Sequence, residues 1–218
     1  MTYTLVVGAA PMQGAEEFYR GLVSEAAFVV AADGGGEWCV DLGRIPDVVV
    51  GDFDSARAGA ASRLADAGAE VHAYPRDKDR TDLELAVEAA NERAGWPVVI
   101  TAAFSRRLDH TLAALGALAT AGPHAMAVEP GWSAYACTPA APLAFDATRG
   151  DLVSILSVGQ SSGVSVGGTA WPLTDARLAP LSGHGVSNTA LGGPVTVTIA
   201  TGMLIVMVLQ DDTSSAIY

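Results

Sequence analysis

Cysteine is nearly absent from this sequence. The two it has, Cys39 and Cys137, stand far apart and outside any CxxC pattern. That excludes a disulfide framework and a cysteine-based zinc site, and it fits a reducing, cytoplasmic setting. Basic residues are also scarce: 12 Lys and Arg face 24 Asp and Glu, a net charge of −12. So acidic a chain lacks the basic footprint of a nonspecific nucleic-acid binder. No apolar run approaches the roughly 18 residues of a membrane span, the longest being Met203–Leu209. The apolar start, Met1–Ala10, has no basic flank and is followed by Glu16 and Glu17. It is expected to be a first core strand and not a signal peptide. There is no GxxxxGKS/T, no HExxH and no nucleophile elbow, so P-loop, zincin and hydrolase-elbow chemistry are not indicated.

What is present is apolar and ordered in pattern. Half of the 218 residues are hydrophobic and the mean hydropathy is +0.32, enough to bury a core as one large domain or two small ones. In the first half, β-branched runs at Thr4–Val7, Phe28–Ala31, Val48–Val50 and Val98–Thr101 alternate with helical stretches. Those stretches are Ala15–Ser24, Glu37–Asp41, Ala58–Ala67, Asp82–Arg93 and Asp109–Ala121. The alternation predicts a parallel sheet covered on both faces, with ligands bound beyond the carboxyl ends of its strands. From about Pro123, Gly, Pro, Ser and Thr rise and helical periodicity disappears. Leu152–Val158, Gly163–Val166, Val195–Ile199 and Met203–Leu209 read there as antiparallel strands. The change of grammar places a boundary near 125–145, giving domains over 1–130 and 131–218.

Three polar clusters follow apolar runs. In Gly51-Asp52-Phe53-Asp54-Ser55 the two aspartates are two apart. On extended backbone they share a face and would repel unless a cation such as Mg²⁺ lay between them, with Phe53 pointing into the core. The alternative is turn chemistry at Asp52 and a helix cap at Asp54 or Ser55. In Lys78-Asp79-Arg80-Thr81-Asp82-Leu83-Glu84, Thr81 and Glu84 have capping-box spacing. The same helix start offers N–H groups to phosphate, with Lys78 as a point charge and Asp82 as a third carboxylate. In Arg107-Leu108-Asp109-His110-Thr111, Arg107 can fork onto phosphate, while Asp109 reads equally as an N-cap and His110 as a surface or packed histidine. Asp33-Gly34-Gly35-Gly36 would let a ligand approach the backbone.

Taken together and in order, these elements resemble the thiamine pyrophosphokinase family. The resemblance is carried by Ala32-Asp33-Gly34-Gly35, Pro46-Asp47 leading into Gly51–Ser55, Lys78–Asp82, Arg107–Thr111 and the late Gly185-Val186-Ser187-Asn188. It implies an α/β class: an N-terminal parallel-sheet α/β catalytic domain followed by a C-terminal antiparallel β-sandwich, working as a homodimer. The implied reaction takes ATP and thiamine to AMP and thiamine diphosphate with Mg²⁺. By position, Asp52, Asp54 and Asp82 would hold metal, with Lys78 beside them. Asp33, Gly34, Lys78, Thr81, Arg107 and Asp109 would line the ATP site. Ser187 and Asn188 would lie beside thiamine, with Trp171 stacked on its cationic ring. The resemblance further implies a thiamine site shared between two chains. Two departures stand out: Ala102-Ala103-Phe104-Ser105-Arg106 where the family has glycines, and Thr189-Ala190 after the Ser-Asn pair. A hydroxymethyl-pterin diphosphokinase shares parts of the aspartate pattern, and a regulator without catalysis would retain nucleotide or thiamine binding.

Overall fold

β-Branched runs form strands and the stretches between them form helices in a computed structural model that describes residues 2–54, 56–93, 97–104 and 107–210. The chain divides into two compact units, Met1–Pro130 and Gly131–Tyr218. The first contains β1 (Thr4–Val7), α1 (Glu16–Glu25), β2 (Phe28–Ala32), α2 (Gly35–Asp41), β3 (Val48–Gly51), α3 (Ala60–Ala67), β4 (Glu70–Ala73), α4 (Asp82–Arg93), β5 (Val98–Thr101), α5 (Leu108–Thr120) and β6 (Met126–Glu129). Its strands pair in parallel in the order β6-β5-β1-β2-β3-β4, with Thr4 opposite both Phe28 and Val98.

Every residue of β1, β3 and β5 is buried, as expected for strands covered on both faces. Leu5, Val7, Val29, Ala31 and Val49 pack with Tyr19, Val23, Cys39 and Leu64 from α1–α3. By the alternation of the pleat, Val6, Val30 and Val50 face the other side, where α4 crosses β1, β2 and β3. The chain runs outward from β1 to β4 and then returns to lay β5 on the far side of β1. The β1/β5 edge is therefore the switch point, where loops leaving neighbouring strands diverge and open a crevice.

The second unit contains β7 (Trp132–Cys137), β8 (Leu143–Ala147), β9 (Leu152–Ser157), β10 (Ser161–Gly167), β11 (Leu173–Leu178), β12 (Asn188–Thr189), β13 (Gly193–Thr198) and β14 (Leu204–Leu209). They form antiparallel ladders in the orders β12-β9-β14-β7 and β11-β10-β13-β8. Val153, Ile155, Leu204 and Val206 of the first meet Val164, Val166, Val195 and Val197 of the second in one apolar layer. Pro194, Thr196 and Thr198 alternate outward from β13, the pattern of a β-sandwich. Among the described residues no helix is long and apolar enough to cross a membrane.

Candidate active site

The loops at the switch point are held close by their own backbones. The N–H groups of Gly8 and Ala10 donate to the carbonyls of Thr101 and Ala102 at 2.9 and 2.7 Å. A Cβ on Gly8 would lie 2.4 Å from the Ala102 oxygen, so glycine is what permits the approach. Asp33, Phe53 and Ala102, at the ends of β2, β3 and β5, all have positive φ, at 47, 58 and 53°. Left-handed non-glycine backbone is costly, and it concentrates where a site needs it.

The turn after β3 decides where the aspartates go. Asp52 Oδ1 accepts the Asp54 N–H at 3.1 Å, an Asx-type turn. The left-handed Phe53 lets its ring pack against the core of the first unit. The turn also keeps the Asp54 side chain against the Asp52 carboxylate. Asp54 lies 3.3 Å from Arg76 Nε on the surface. Asp52 instead meets Lys78, whose Nζ donates to Asp52 Oδ2 at 3.1 Å. Lys78 Nζ also lies 3.2 Å from Asp82 Oδ1, an ion pair without hydrogen-bond alignment at that oxygen.

Lys78 is the only lysine in the sequence, and its side chain is 13% exposed. Burial works against its ammonium, but the Asp52 and Asp82 carboxylates outweigh burial and raise its pKa. Asp52 is held below the usual carboxylate range by the Asp54 N–H and then by Lys78. Asp82 is pushed up, chiefly by burial, with the Asp52 and Asp33 charges adding to the rise and Lys78 opposing it. Helix α4 begins here with the expected reciprocal cap. The Thr81 N–H donates to Glu84 Oε2 at 2.8 Å, and the Glu84 N–H donates to Thr81 Oγ1 at 3.2 Å.

These elements enclose a cavity of about 500 Å³, lined among others by Gly8, Ala9, Ala10, Asp33, Arg76, Lys78, Arg80, Thr81, Asp82, Ala103, Arg107 and His110. Four of the chain's 12 Lys and Arg thus converge on one hollow, with the N-terminal end of α4 in its wall. In an acidic chain, that is how a polyanion is held locally. Arg107 forks onto Asp109, with Nη2–Oδ2 at 2.6 Å and Nε–Oδ1 at 3.2 Å. This exposed pair lowers the Asp109 carboxyl to about 2.

In the second unit, Asn188 is buried and its amide is fully used. Its Oδ1 accepts the N–H groups of Trp171 and Thr189 at 3.0 and 2.9 Å. Its Nδ2 donates to Thr169 Oγ1 at 3.0 Å and to the Trp171 carbonyl at 2.7 Å. Trp171, so tethered by its backbone, is 64% exposed. Ser187 is exposed and left-handed at φ 58°, with its N–H on Ser154 Oγ at 3.0 Å.

Residues 19–128 match the family model for the thiamin pyrophosphokinase catalytic domain, and residues 143–204 match that for the thiamin pyrophosphokinase vitamin B1 binding domain. The chain belongs to the thiamin pyrophosphokinase family. It is 34% identical to thiamine pyrophosphokinase of Bacillus subtilis (strain 168) over 92 residues, a match spanning 42% of this chain and 43% of that protein's length. Its fold is similar to the solved structure of thiamine pyrophosphokinase from Bacillus subtilis, with a TM-score of 0.80 over 95% of this chain and 99% of that one at 21% identity. It is also similar to thiamin pyrophosphokinase from Candida albicans, with a TM-score of 0.75 over 96% of this chain and 89% of that one at 12% identity.

Against the site expected from the sequence of this thiamin pyrophosphokinase family member, the structure brings Asp33, Lys78, Thr81, Asp82 and Arg107 to one cavity, with Asp52 bound to Lys78. Among the described residues no group of three metal-ligating side chains forms: Asp54 pairs with Arg76, while Asp52 and Asp82 share Lys78. Arg107 forms a surface ion pair with Asp109, which had not been expected. Gly34 lines a separate cavity of about 460 Å³ beside Trp38 and Arg57. Gly35 serves packing rather than ligand approach, since a Cβ there would meet the Gly8 and Val7 carbonyl oxygens at 2.6 and 2.7 Å. Trp171 is not a core residue, and Asn188 supports Trp171 instead of offering free hydrogen-bonding groups. Ser55, Ser105 and Arg106 lie outside the described residues. Arg76 was not among the expected residues, and Arg80 stood inside the Lys78–Asp82 stretch without a role; the signal for both is three cations within Arg76–Arg80 in a chain so poor in them.

Proposed function

We propose that the chain transfers the diphosphate of ATP to the hydroxyl of thiamine, giving thiamine diphosphate and AMP. The single observation that carries this reading is the nearly buried Lys78 ammonium between Asp52 and Asp82, in a cavity that also collects Arg76, Arg80 and Arg107 at the start of α4. The donor set suits Mg²⁺: two converging carboxylates already hold a cation, and Asp82 Oδ1 is buried without a hydrogen bond. Asp52 and Asp82 would hold the metal, with Asp54 as the third carboxylate once free of Arg76. When bound, Mg²⁺ supplies charge neutralisation on the polyphosphate oxygens.

The chain's own residues do the rest. Lys78 and Arg107 neutralise polyphosphate charge, and Thr81 fixes the helix start whose N–H groups face the anion. Asp33 completes the nucleotide's surroundings, and Asp109 contributes by holding Arg107. The thiamine oxygen attacks the β-phosphorus, the bond from that phosphorus to the α,β-bridging oxygen breaks, AMP leaves with the bridging oxygen, and the hydroxyl proton is released. Positioning dominates such a transfer. Trp171 presents an exposed ring for cation–π stacking worth about 0.5–2 kcal/mol, Asn188 holds that ring's backbone, and Ser187 offers a hydroxyl to the pyrimidine.

The same reading makes the protein a cytoplasmic homodimer in which each thiamine site draws on two chains. At thiamine far below the raised Michaelis constant of Asn188→Ala, where each variant alone is inactive, mixing an Asp54→Asn chain with an Asn188→Ala chain restores activity if sites are shared and none if they are not. A coupled assay for AMP tests the reaction itself: with ATP, Mg²⁺ and purified protein, AMP forms only when thiamine is added. AMP formation indifferent to thiamine, or none at all, rejects the reading.

A further inference from the structure

A buried carboxylate that the proposed chemistry does not use stands behind the crevice. Glu129, the last residue of β6, is 5% exposed. Its Oε2 accepts the Tyr19 hydroxyl proton at 2.7 Å, and its Oε1 accepts the Ala103 N–H at 3.3 Å; the Ala102 N–H also lies against it. The Tyr19 oxygen in turn accepts the Met12 N–H at 2.9 Å. One carboxylate thus ties the end of β6 to α1, to the loop after β1 and to the turn after β5. The last two are the lips of the switch-point crevice, and Ala10 and Ala103 line its cavity.

The turn being held is one that an alanine resists. Ala102 is fully buried with φ 53°, a conformation that glycine adopts freely and that costs about 1 kcal/mol or more in other residues. Burying a carboxylate is itself unfavourable unless its oxygens are satisfied. Here the satisfying donors are the N–H groups of the strained turn and the hydroxyl that reaches the other lip. We infer that Glu129, with Tyr19, is a positioning residue of the nucleotide site: it holds the Ala102–Ala103 turn and the loop after β1 at the separation that admits the polyphosphate. This rests on the nucleotide reading of the cavity given above.

In Glu129→Gln, whichever way the amide is turned, the Ala103 N–H or the Tyr19 hydroxyl loses its acceptor. The test is isothermal titration of the full chain with Mg-ATP, alongside the Michaelis constant for thiamine. The expected result is an ATP dissociation constant raised about tenfold, with the thiamine constant unchanged. Ala102→Gly in the same background relieves the turn and recovers most of the ATP affinity. Should Glu129→Gln not fold, Tyr19→Phe leaves the carboxylate in place and is expected to raise the ATP constant about threefold. A folded Glu129→Gln, or a folded Tyr19→Phe in its stead, that binds ATP within about twofold of the parent overturns the inference and leaves the nucleotide reading standing. Equal weakening toward ATP and thiamine also overturns it, since that marks general loosening. A parent chain that binds no ATP overturns both.

Discussion

Replacing Lys78 by methionine removes one charge and little volume, and it strikes both stability and activity. The ammonium is 3.1 Å from Asp52 Oδ2 and 3.2 Å from Asp82 Oδ1, and the three side chains are 13, 13 and 25% exposed. A pair at the surface is worth about 0–1 kcal/mol, whereas removing one partner of a buried pair costs about 3–5 kcal/mol. This burial falls between the two, and the loss leaves two carboxylates facing each other, so about 2 kcal/mol is expected. For a chain of this length that lowers Tm by about 4–8 °C, read by calorimetry without added metal. Lys78→Met with Asp82→Asn should regain most of the loss, because the second change removes the charge that the first left unpaired. Activity should not return with stability: kcat/KM for ATP should fall about 100-fold in both variants. A Tm within about 1 °C of the parent, or a double variant no more stable than the single, would rule out a stabilising role for the half-buried Asp52–Lys78–Asp82 triad.

Asp54→Asn disrupts only an exposed pair with Arg76, so stability should change by less than about 0.5 kcal/mol, while turnover with thiamine falls about 100-fold; near-parental turnover at saturating Mg²⁺ would remove Asp54 from the metal set. Trp171→Ala should raise the Michaelis constant for thiamine with little change in Tm, because the residue is 64% exposed. Asn188→Ala should raise the same constant and also lower Tm, because it strips four hydrogen bonds from a buried amide. Burial raises the Glu129 carboxyl above its usual 4.5, against the Tyr19 hydrogen bond that lowers it. The folded state then holds that proton more tightly, so its contribution is full below pH 4.5 and is lost as pH rises through the raised value. The Tm of Glu129→Gln relative to the parent should therefore climb across that window; a constant difference would contradict the shift.

The parallel strands at the centre of the first unit were legible because burial on both faces demands continuous β-branched runs, and Thr4–Val7 and Val98–Thr101 consist of them almost entirely. The strand at Glu70–Ala73 was not, since an edge strand with Glu70 and His72 carries no such run. In the second unit Trp132–Cys137, Leu143–Ala147 and Leu173–Leu178 were hidden for a related reason: Ala, Asp and Arg dilute the β signal, and the ladders hold them instead. At the site, the capping box at Thr81–Glu84 was read correctly because it is local in sequence. The Asp52/Asp54 geometry stayed open between a shared face and turn chemistry at Asp52, because it depends on one left-handed residue, Phe53. The Glu129–Tyr19 bond, across 110 positions, has no sequence signature at all.

Whether ATP binds with its polyphosphate on Lys78 is directly measurable, because the sequence has a single lysine. The chain is treated with a limiting amine-acylating reagent, and the peptide carrying Lys78 is followed by mass spectrometry, with and without Mg-ATP. With polyphosphate on Lys78, Mg-ATP slows acylation of Lys78 while that of the N-terminal amine is unchanged. Acylation of Lys78 at the same rate with saturating Mg-ATP bound would contradict it.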